Sequence, residues 1–512
     1  MILMRFWKTN RMKELKKSFW DIMTISGATV LSIPLMIISE SIQARYLGPA
    51  NYGRVALILS AIALLYLFGL GWLRVSFVRF GKEEFINNGH IRKTTANFFI
   101  NNIFSFIVIS LIFYVFRNPI LNFLEIRHIY AFWIILFGCL LGFFKNFVFE
   151  VLKVIRLIKI QTILQRLAIK VFVLLGMLFF VFNLLKIDIT YIVAIFLISD
   201  LLIIIIGFCF IKFKYLFPLS FDRKMVIKII IYSYPLFFST WSGYIVNWVD
   251  AYVIKYYMDL ADVGIYQAAY KIFTTLKSFW GVGLVSVTLP IIMVFKTNDQ
   301  FYKIKDLYLK RLVPQVSFLG MILISLIILL TDIVFNLIYG SKFDNSIVIF
   351  KILVASQNLT IVSSMLTAII FSYDMTKILS VLGISFGIFN VIADLILVKQ
   401  FGIIGAAVAT FFVYSMIPVI WLFYINNKFK VKRKLALLFP LITTCIMIIN
   451  IINIDYILKI ILSIFLLVLV TIISRNFNLF NKSDEELLQN INMPKIVRRV
   501  INKALIVLSK ST

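Results

Sequence analysis

Five basic side chains interrupt long apolar segments of the sequence, at Lys145, Arg166, Lys170, Lys271 and Lys277. An ionisable group near the centre of a bilayer costs about 3 kcal/mol on insertion scales, so each of these residues marks a candidate functional site. Arg166 and Lys170 are four residues apart and would share one helix face. Because Lys and Arg bind concentrated negative charge such as a diphosphate, we predict a water-filled cationic cavity that holds an anionic group.

Simpler interpretations of some basic residues stay open. Arg166 and Lys145 lie near the predicted inner ends of their segments, so snorkelling toward the interface explains them as well. Lys145 can instead pair with Glu150. Arg45 and Arg74 fall near opposite membrane faces, and we interpret them as interfacial anchors or as residues at the rim of the cavity.

Acidic residues within the apolar segments are candidates for coupling transport to an ion gradient. Asp200 lies deepest, whereas Glu40 and Asp250 are predicted nearer the outer face. A carboxylate whose protonation or cation occupancy favours one conformation provides such coupling. A structural pair, for example Asp200 with Lys170, is the alternative. The sequence shows no catalytic base, metal-ligand pattern or cofactor motif, so we expect neither an enzyme nor a bound metal or cofactor.

The composition requires lipid as the solvent for most of the chain. Of 512 residues, 62% are hydrophobic and 15% are charged, and apolar runs of about 20 residues recur along the chain. We predict an all-α integral membrane protein with about 14 transmembrane helices. The predicted helices cover residues 21–45, 54–78, 95–116, 129–152, 160–183, 189–211, 228–256, 263–295, 312–338, 346–372, 377–398, 402–426, 435–452 and 456–475.

The distribution of positive charge predicts the orientation. The net charge is +29, and most of the 52 Lys and Arg lie in every second loop. Cytoplasmic loops carry such an excess, so we predict that both ends of the chain face the cytoplasm, in an inner (cytoplasmic) membrane. Nucleic acid is therefore not an expected partner. The basic start precedes an apolar run too long for a signal peptide, which favours a retained first helix.

A faint internal repeat divides the chain. Tyr46 to Gly53 can be laid over Tyr257 to Gly264 with the same spacing from Tyr to Gly, as in parallel repeats about an axis along the membrane normal. We expect Gly48, Pro49 and Gly53 to form a tight turn. The predicted organisation is a basic N-terminus (1–20), two six-helix lobes (21–212 and 228–426), two further helices (435–475) and an amphipathic cytoplasmic tail (476–512).

Three stretches together carry a resemblance to a known family. They are Ala44-Arg-Tyr-Leu-Gly-Pro-Ala-Asn-Tyr-Gly53, Asp262-Val-Gly-Ile-Tyr-Gln-Ala-Ala-Tyr-Lys-Ile272 and Phe401-Gly-Ile-Ile-Gly-Ala-Ala-Val-Ala-Thr410. They resemble the polysaccharide transporter branch of the multidrug/oligosaccharidyl-lipid/polysaccharide (MOP) exporter superfamily, which contains O-antigen and capsule-unit flippases. The resemblance implies an alternating-access exporter that flips a polyprenyl-diphosphate-linked oligosaccharide between leaflets. Membrane lipids, and other glycan-assembly proteins, are the implied partners.

Three rival functions stay open. A multidrug or cation antiporter of the same superfamily should carry a net acidic pocket, whereas the predicted interior is basic. A membrane glycan polymerase or transferase should carry a long external loop, and the predicted external loops are short. A scaffold role leaves the cations inside the apolar segments unexplained.

Overall fold

The computed structural model describes residues 2–126, 130–182, 188–373, 375–429, 434–452, 454–476 and 479–480. In this part of the chain every regular element is a helix, which confirms the predicted all-α class. Nearly all of the predicted amphipathic tail, residues 476–512, lies outside the described residues. The α-helices are α1 (Ile2–Gly69), α2 (Arg74–Asn88), α3 (Arg92–Val115), α4 (Arg117–Phe123), α5 (Tyr130–Val154), α6 (Ile158–Thr162), α7 (Ile169–Val181), α8 (Ile189–Cys209), α9 (Arg223–Tyr257), α10 (Leu260–Thr297), α11 (Phe301–Lys303), α12 (Val313–Tyr339), α13 (Asn345–Ser372), α14 (Thr376–Phe401), α15 (Ile403–Phe429), α16 (Lys434–Ile451) and α17 (Tyr456–Asn476).

The chain is a multi-pass membrane protein. Within the described residues, eleven helices are long and apolar enough to cross a bilayer, or up to twelve when the bent α9 is included. One candidate, Gly27–Gly69, has 43 residues, which is about twice the length that one crossing needs. The apolar helix Leu437–Ile451 is shorter than a full span. The total of fourteen transmembrane helices and the cytoplasmic location of the N-terminus remain predictions.

A glycine and a proline interrupt α1. Gly48 has φ 69° and ψ 172°, and these backbone angles do not fit a helix. Glycine adopts positive φ without steric cost, and Pro49 has no N–H that needs a helical partner. The predicted turn at these two residues is confirmed. The prediction that Gly53 belongs to the turn is wrong, because Gly53 lies in the regular helix that follows.

The two glycines of the internal repeat pack against each other. A Cβ atom built on Gly53 would lie 2.7 Å from the backbone nitrogen of Gly264, and a Cβ on Gly264 would lie 2.8 Å from the carbonyl carbon of Pro49. Real Cβ atoms do not approach backbone atoms this closely. The backbones of α1 and α10 therefore meet at a point that has room for hydrogen alone, as at small-residue contacts between membrane helices.

The third motif positions the end of α14. Gly402 has φ 59° and joins α14 to α15. A Cβ atom on Gly405 would lie 2.8 Å from the backbone nitrogen of Val398. The stretch therefore has room for hydrogen alone at Gly405, where its neighbour is the last turn of α14.

A bend divides α9 into two parts. Arg223–Pro235 and Thr240–Tyr257 meet at 49°. Proline removes one helical hydrogen bond and clashes with the carbonyl four residues earlier, which accounts for a bend at this point.

The described chain forms two compact units that are not contiguous in sequence. Unit 1 comprises residues 1–272, 336–344 and 377–406, and unit 2 comprises 273–335, 345–376 and 407–512. In unit 2 the helix α13 is buried along almost its whole length. Asn358 of α13 donates to the Thr443 hydroxyl of α16 over 3.0 Å, an interhelical hydrogen bond of the kind that joins membrane helices.

Unit 2 also holds a buried ion pair. Lys351 Nζ lies 2.8 Å from both carboxylate oxygens of Asp332 and donates to the Asn450 carbonyl over 3.3 Å. The Lys351 side chain is 3% exposed, whereas that of Asp332 is 32% exposed. The lysine therefore depends on this carboxylate for most of its charge compensation.

Replacing Asp332 with leucine is expected to destabilise the protein by about 3 kcal/mol, because it leaves Lys351 charged, buried and unpaired. The double variant Asp332→Leu/Lys351→Leu should recover most of that loss. The measurement is the free energy of unfolding in detergent micelles. As a control, Asp306→Leu breaks the exposed pair with Lys310 and should cost less than about 1 kcal/mol. Equal losses in the single and double variants would contradict the pairing.

Candidate functional site

A buried ion pair joins α1 to α10 in unit 1. Lys271 Nζ lies 2.9 Å from Glu40 Oε2 and 3.4 Å from Gln43 Oε1. The same ammonium group lies 4.5 Å from the centroid of the Tyr52 ring, and the Tyr52 hydroxyl donates to Glu40 Oε2 over 2.5 Å. Glu40 is therefore held by a cation and a hydroxyl, and Lys271 also gains the cation–π attraction of the ring.

A second ion pair joins α5 to α8. Lys145 Nζ lies 2.6 Å from Asp200 Oδ2, and both side chains are largely buried. The alternatives that paired Lys145 with Glu150 and Asp200 with Lys170 are both wrong. Glu150 instead lies 3.2 Å from the guanidinium of Arg74 and 3.0 Å from Lys153. Sequence spacing along one helix does not determine which neighbouring helix supplies the partner.

Lys170 is the uncompensated cation of this region. It lies on α7, is partly exposed, and interacts electrostatically with Glu40, Lys271 and Lys145. Among the described residues it has no ion-pair partner. We refer to Glu40, Lys145, Lys170, Asp200 and Lys271 as the charge cluster. Three lysines face two carboxylates, so the charge cluster carries one excess positive charge.

Lys277 lies elsewhere. It belongs to unit 2, where its ammonium group donates to the Tyr414 hydroxyl and lies 4.3 Å from the centroid of that ring. The structure therefore brings Lys271 into the charge cluster and places Lys277 against an aromatic residue of α15.

The predicted arginines have different environments. The guanidinium of Arg45 donates to the carbonyls of Ile338, over 3.0 Å, and of Leu337. These are carbonyls of the last turn of α12, where a cation also offsets the negative end of the helix dipole. Arg166 lies in the π-helical segment Ile163–Ala168, partly exposed. Arg74 pairs with Glu150 and does not join the charge cluster.

A pair of buried carboxylates lies at a different place in unit 1. The Tyr266 hydroxyl donates to Asp250 Oδ2, and Asp250 interacts electrostatically with Asp394 of α14. Both aspartates are at most 1% exposed. The Asp394 carboxyl group lies within hydrogen-bonding reach of Asp250 and accepts no hydrogen bond from other described residues, and neither polar atom of the Asn390 side chain, one turn earlier, has a partner among them. A proton or a small cation between the carboxylates would remove their repulsion.

The sequence interpretation missed several of these residues. Asp394 and Asn390 lie four residues apart within the predicted eleventh span. Asp332 lies within the predicted ninth span, and Lys351 lies within the predicted tenth span. The signal that identified Asp200, an ionisable residue within an apolar run, also applies to Asp394. In the described part of the chain no group of three or more His, Cys, Asp or Glu side chains is placed to hold a metal ion.

A separate cavity of about 1000 Å³ in unit 1 lies beside Arg54, Asn122, Glu125 and Asp188. Glu125 pairs with Lys255 and, over 3.4 Å, with Arg54. The hydrogen bond from Lys255 holds the pKa of Glu125 below its usual range. Arg54 and Glu125 beside this cavity are therefore paired, unlike Lys170, whereas the Asp188 carboxylate accepts a hydrogen bond from the Ile189 N–H at the start of α8.

The fold matches those of solved transporters. The structure of lipid II flippase MurJ in an inward closed conformation superposes with a TM-score of 0.69 and 18% identity, over 89% of this chain and 99% of that one. An inward-facing multidrug resistance MATE family transporter of the MOP superfamily gives a TM-score of 0.61 and 13% identity, over 78% and 94% of the two chains. By fold, the protein is a multi-pass helical membrane protein that is similar to these two transporters.

The sequence assigns the family. Residues 19–296, more than half of the chain, match the family described as Polysaccharide biosynthesis protein, and the chain belongs to that family. The probable low-salt glycan biosynthesis flippase Agl15 of Haloferax volcanii is 21% identical over 199 residues, which are 38% of this chain and 41% of that protein. The chain thus matches about two fifths of the length of this curated relative. These relatives are named as flippases or transporters, not as catalysts of a chemical reaction.

Proposed function

We propose that the protein is a flippase that moves a polyprenyl-diphosphate-linked oligosaccharide from the inner to the outer leaflet of a cytoplasmic membrane by alternating access. The glycan would be an O-antigen, capsule or related surface-glycan unit. Membership of the polysaccharide biosynthesis family and the MOP transporter fold support a transporter of this class. The proposal needs no covalent chemistry, because the passenger leaves in the form in which it enters.

The observation that carries the proposal is the excess positive charge of the charge cluster. Lys145 and Lys271 each have a carboxylate partner, whereas Lys170 lies within the field of both lysines and has no such partner in the described part of the chain. An incoming diphosphate supplies the missing negative charge and can accept charge-assisted hydrogen bonds from Lys170. Arg45, Arg74, Arg166 and Lys277 remain further candidates for contacts with the passenger.

The test of the proposed function is direct. The purified protein is reconstituted in vesicles that contain a fluorescent polyprenyl-diphosphate oligosaccharide, and a membrane-impermeant quencher reports how much of it faces outside. We expect the accessible fraction to change only in vesicles that contain the protein. The same leaflet distribution with and without protein would overturn the proposal. A fluorescent polyprenyl alcohol without diphosphate serves as the control passenger.

The buried carboxylates Asp250 and Asp394 are our proposed coupling site. Glu40 and Asp200 were the other candidates, but each is neutralised by a lysine at 2.9 Å and 2.6 Å, respectively. Asp250 and Asp394 instead face each other within a buried region. Binding of a proton or Na⁺ there removes like-charge repulsion, so occupancy can favour one conformation over another.

Replacing Asp394 with asparagine should abolish the response to an imposed ion gradient, because one of the two charges that bind the cation is gone. Transport is measured in vesicles with an imposed proton or Na⁺ gradient and again without one. We expect the stimulation by the gradient to fall to about onefold, while gradient-independent exchange persists. The exposed Asp344 provides the control Asp344→Asn, which should keep the wild-type stimulation. A gradient response that survives in Asp394→Asn would place coupling elsewhere.

The same carboxylates favour a second candidate function, an antiporter that exports organic cations as MATE-like transporters do. A cationic passenger would need a net negative site, and Asp250 with Asp394 is such a site within the described residues. One experiment distinguishes the two functions. Efflux of a fluorescent cation such as ethidium from the same vesicles, together with an unmoved glycan lipid, would favour the antiporter.

A further inference from the structure

The cavity of about 1000 Å³ in unit 1 lies among helix ends, and no residue of the charge cluster lines it. Arg54 lines it from the part of α1 that follows the break at Gly48. Asn122 is in the last turn of α4, Tyr130 begins α5, and Thr190 is in the first turn of α8. On the predicted orientation these helix ends face the outside of the membrane.

The carboxylates of the cavity indicate that water reaches it. Glu125 and Asp188 line the cavity, the Glu125 side chain is 47% exposed, and Asp188 is exposed as well. Because an ionised carboxylate is costly in hydrocarbon, exposed carboxylates at helix ends must be solvated. We therefore expect the ligand of this cavity to be a water-soluble group and not a hydrocarbon chain.

The charged groups of the cavity already have partners. Glu125 pairs with Lys255 and, over 3.4 Å, with Arg54. The Asp188 carboxylate accepts a hydrogen bond from the Ile189 N–H over 2.7 Å. Among the described residues at this place, two cations balance two carboxylates. The described lining therefore has no excess charge that would select an ion of either sign.

Hydrogen-bonding groups without partners remain for a ligand. Arg54 Nε is buried and has no acceptor among the described residues. The Asn122 amide and the Thr190 hydroxyl form no hydrogen bond with other described residues, and both side chains are exposed. An amide and a hydroxyl each donate and accept. They match a ligand whose own hydroxyl groups also do both.

Apolar and aromatic side chains form the rest of the lining. Ile58, Ile134 and Val193 line the cavity, together with Tyr130, whose side chain is 70% exposed. A sugar ring has C–H faces as well as hydroxyl groups, and such faces pack against aromatic and aliphatic side chains. Small-molecule sites have volumes of about 300 to 1000 Å³, so this cavity has room for several sugar units.

We propose that this cavity binds an oligosaccharide of neutral sugars, with sugar hydroxyls at Arg54, Asn122 and Thr190 and one sugar ring against Tyr130. The source of that oligosaccharide, the glycan of the lipid-linked passenger at the outer face, rests on the proposed function. Binding of a free glycan does not. The charge cluster and this cavity would then bind chemically different parts of one passenger, the diphosphate and the sugars.

The test measures binding of free glycans to the full-length protein in lauryldimethylamine oxide, a detergent without a sugar head group. The probes are an array of short neutral oligosaccharides, the corresponding oligosaccharides that contain a uronic acid, and glycerol. We expect at least one neutral oligosaccharide to bind about tenfold more tightly than its acidic counterpart and than glycerol. If no neutral oligosaccharide binds, or if acidic ones bind more tightly than all neutral ones, the proposal is wrong.

A pair of matched variants locates the site. Asn122→Ala should weaken binding of the best neutral oligosaccharide about fivefold, because one hydrogen bond to the ligand is lost. The control Asn118→Ala changes an exposed asparagine of the same helix, α4, that does not line the cavity. It should leave affinity within about twofold of wild type, as measured by isothermal titration calorimetry. Equal losses in the two variants would overturn the site.

The ring contact is tested separately. Tyr130→Ala should weaken binding about fivefold, whereas Tyr130→Phe keeps the ring and should stay within about twofold of wild type. The fold is expected to tolerate both changes, since this side chain is 70% exposed. Wild-type affinity in Tyr130→Ala would exclude the assigned position of the sugar ring.

The outcome is independent of the test of the proposed function. Free glycan that binds in the cavity, together with a passenger that is not flipped in vesicles, would support this site and overturn the flippase. A passenger that is flipped, together with no binding of any neutral glycan, would support the flippase and overturn this site.

Discussion

Replacing Lys170 with methionine is expected to lower transport of a polyprenyl-diphosphate oligosaccharide about tenfold or more. Methionine keeps the length and apolar stem of the side chain but removes the one cation of the charge cluster that has no carboxylate partner among the described residues. A charge-assisted hydrogen bond contributes about 1.5 to 3 kcal/mol, and each 1.4 kcal/mol corresponds to a factor of ten. The measurement is the initial rate of quencher accessibility in reconstituted vesicles.

Three comparisons make this result specific. Lys170→Arg retains the charge and should keep a substantial part of the rate, whereas Lys170→Glu should abolish it. Lys399→Met removes an exposed lysine at the end of α14 and should leave the rate unchanged. Protein yield and melting temperature should be the same for all variants, since Lys170 forms no ion pair with the residues that the structure describes. A wild-type rate in Lys170→Met would mean that the diphosphate is held elsewhere.

The second large effect concerns folding. Adding one methyl group at Gly264 is expected to destabilise the protein by more than about 3 kcal/mol, above the usual cost of overpacking. The added Cβ atom of Gly264→Ala would overlap the backbone of Pro49 and Gly53. Backbone atoms cannot turn away as a side chain can, so α1 and α10 must separate. The yield of folded, monodisperse protein and its melting temperature provide the measurement.

A matched control exists within the same helix. Gly281 of α10 has no atom within 4 Å of an added Cβ, and alanine is the better helix former by about 1 kcal/mol. Gly281→Ala should therefore be neutral or stabilising. If Gly264→Ala folds as well as Gly281→Ala, the close approach of α1 and α10 is not required.

The helical class and the break at Gly48 followed from the sequence because they depend on local properties, apolar run length and the backbone preferences of glycine and proline. The role of Gly53 did not follow. Its small size matters only because Gly264, far away in the chain, packs against it, and periodicity along one segment carries no information about which segment packs on it. The internal repeat connected these two glycines by sequence, and the structure connects them by contact.

In the candidate site, too, local sequence predicts some features, and others depend on contacts between distant segments. The rule that ionisable residues in apolar segments are functional identified every lysine of the charge cluster, but it treated the cations as a group. Pairing with Glu40 and Asp200 leaves Lys170 as the excess charge, and that difference depends on distances between helices. The same rule could have identified Asp394 as a functional residue. That Asp394 lies opposite Asp250 could be seen only in the three-dimensional structure.

The pairing of Glu40 with Lys271 has a consequence for how the chain is made. The two residues are separated by 231 positions, which take roughly 10 to 50 s to synthesise at about 5 to 20 residues per second. During that interval the first apolar segment exists without its cation. Glu40 must then be neutral, hydrated or held by a temporary partner, because an unpaired carboxylate is costly in hydrocarbon. A chain truncated before Lys271 would expose this carboxylate permanently, which makes α1 a segment that membrane quality control can recognise.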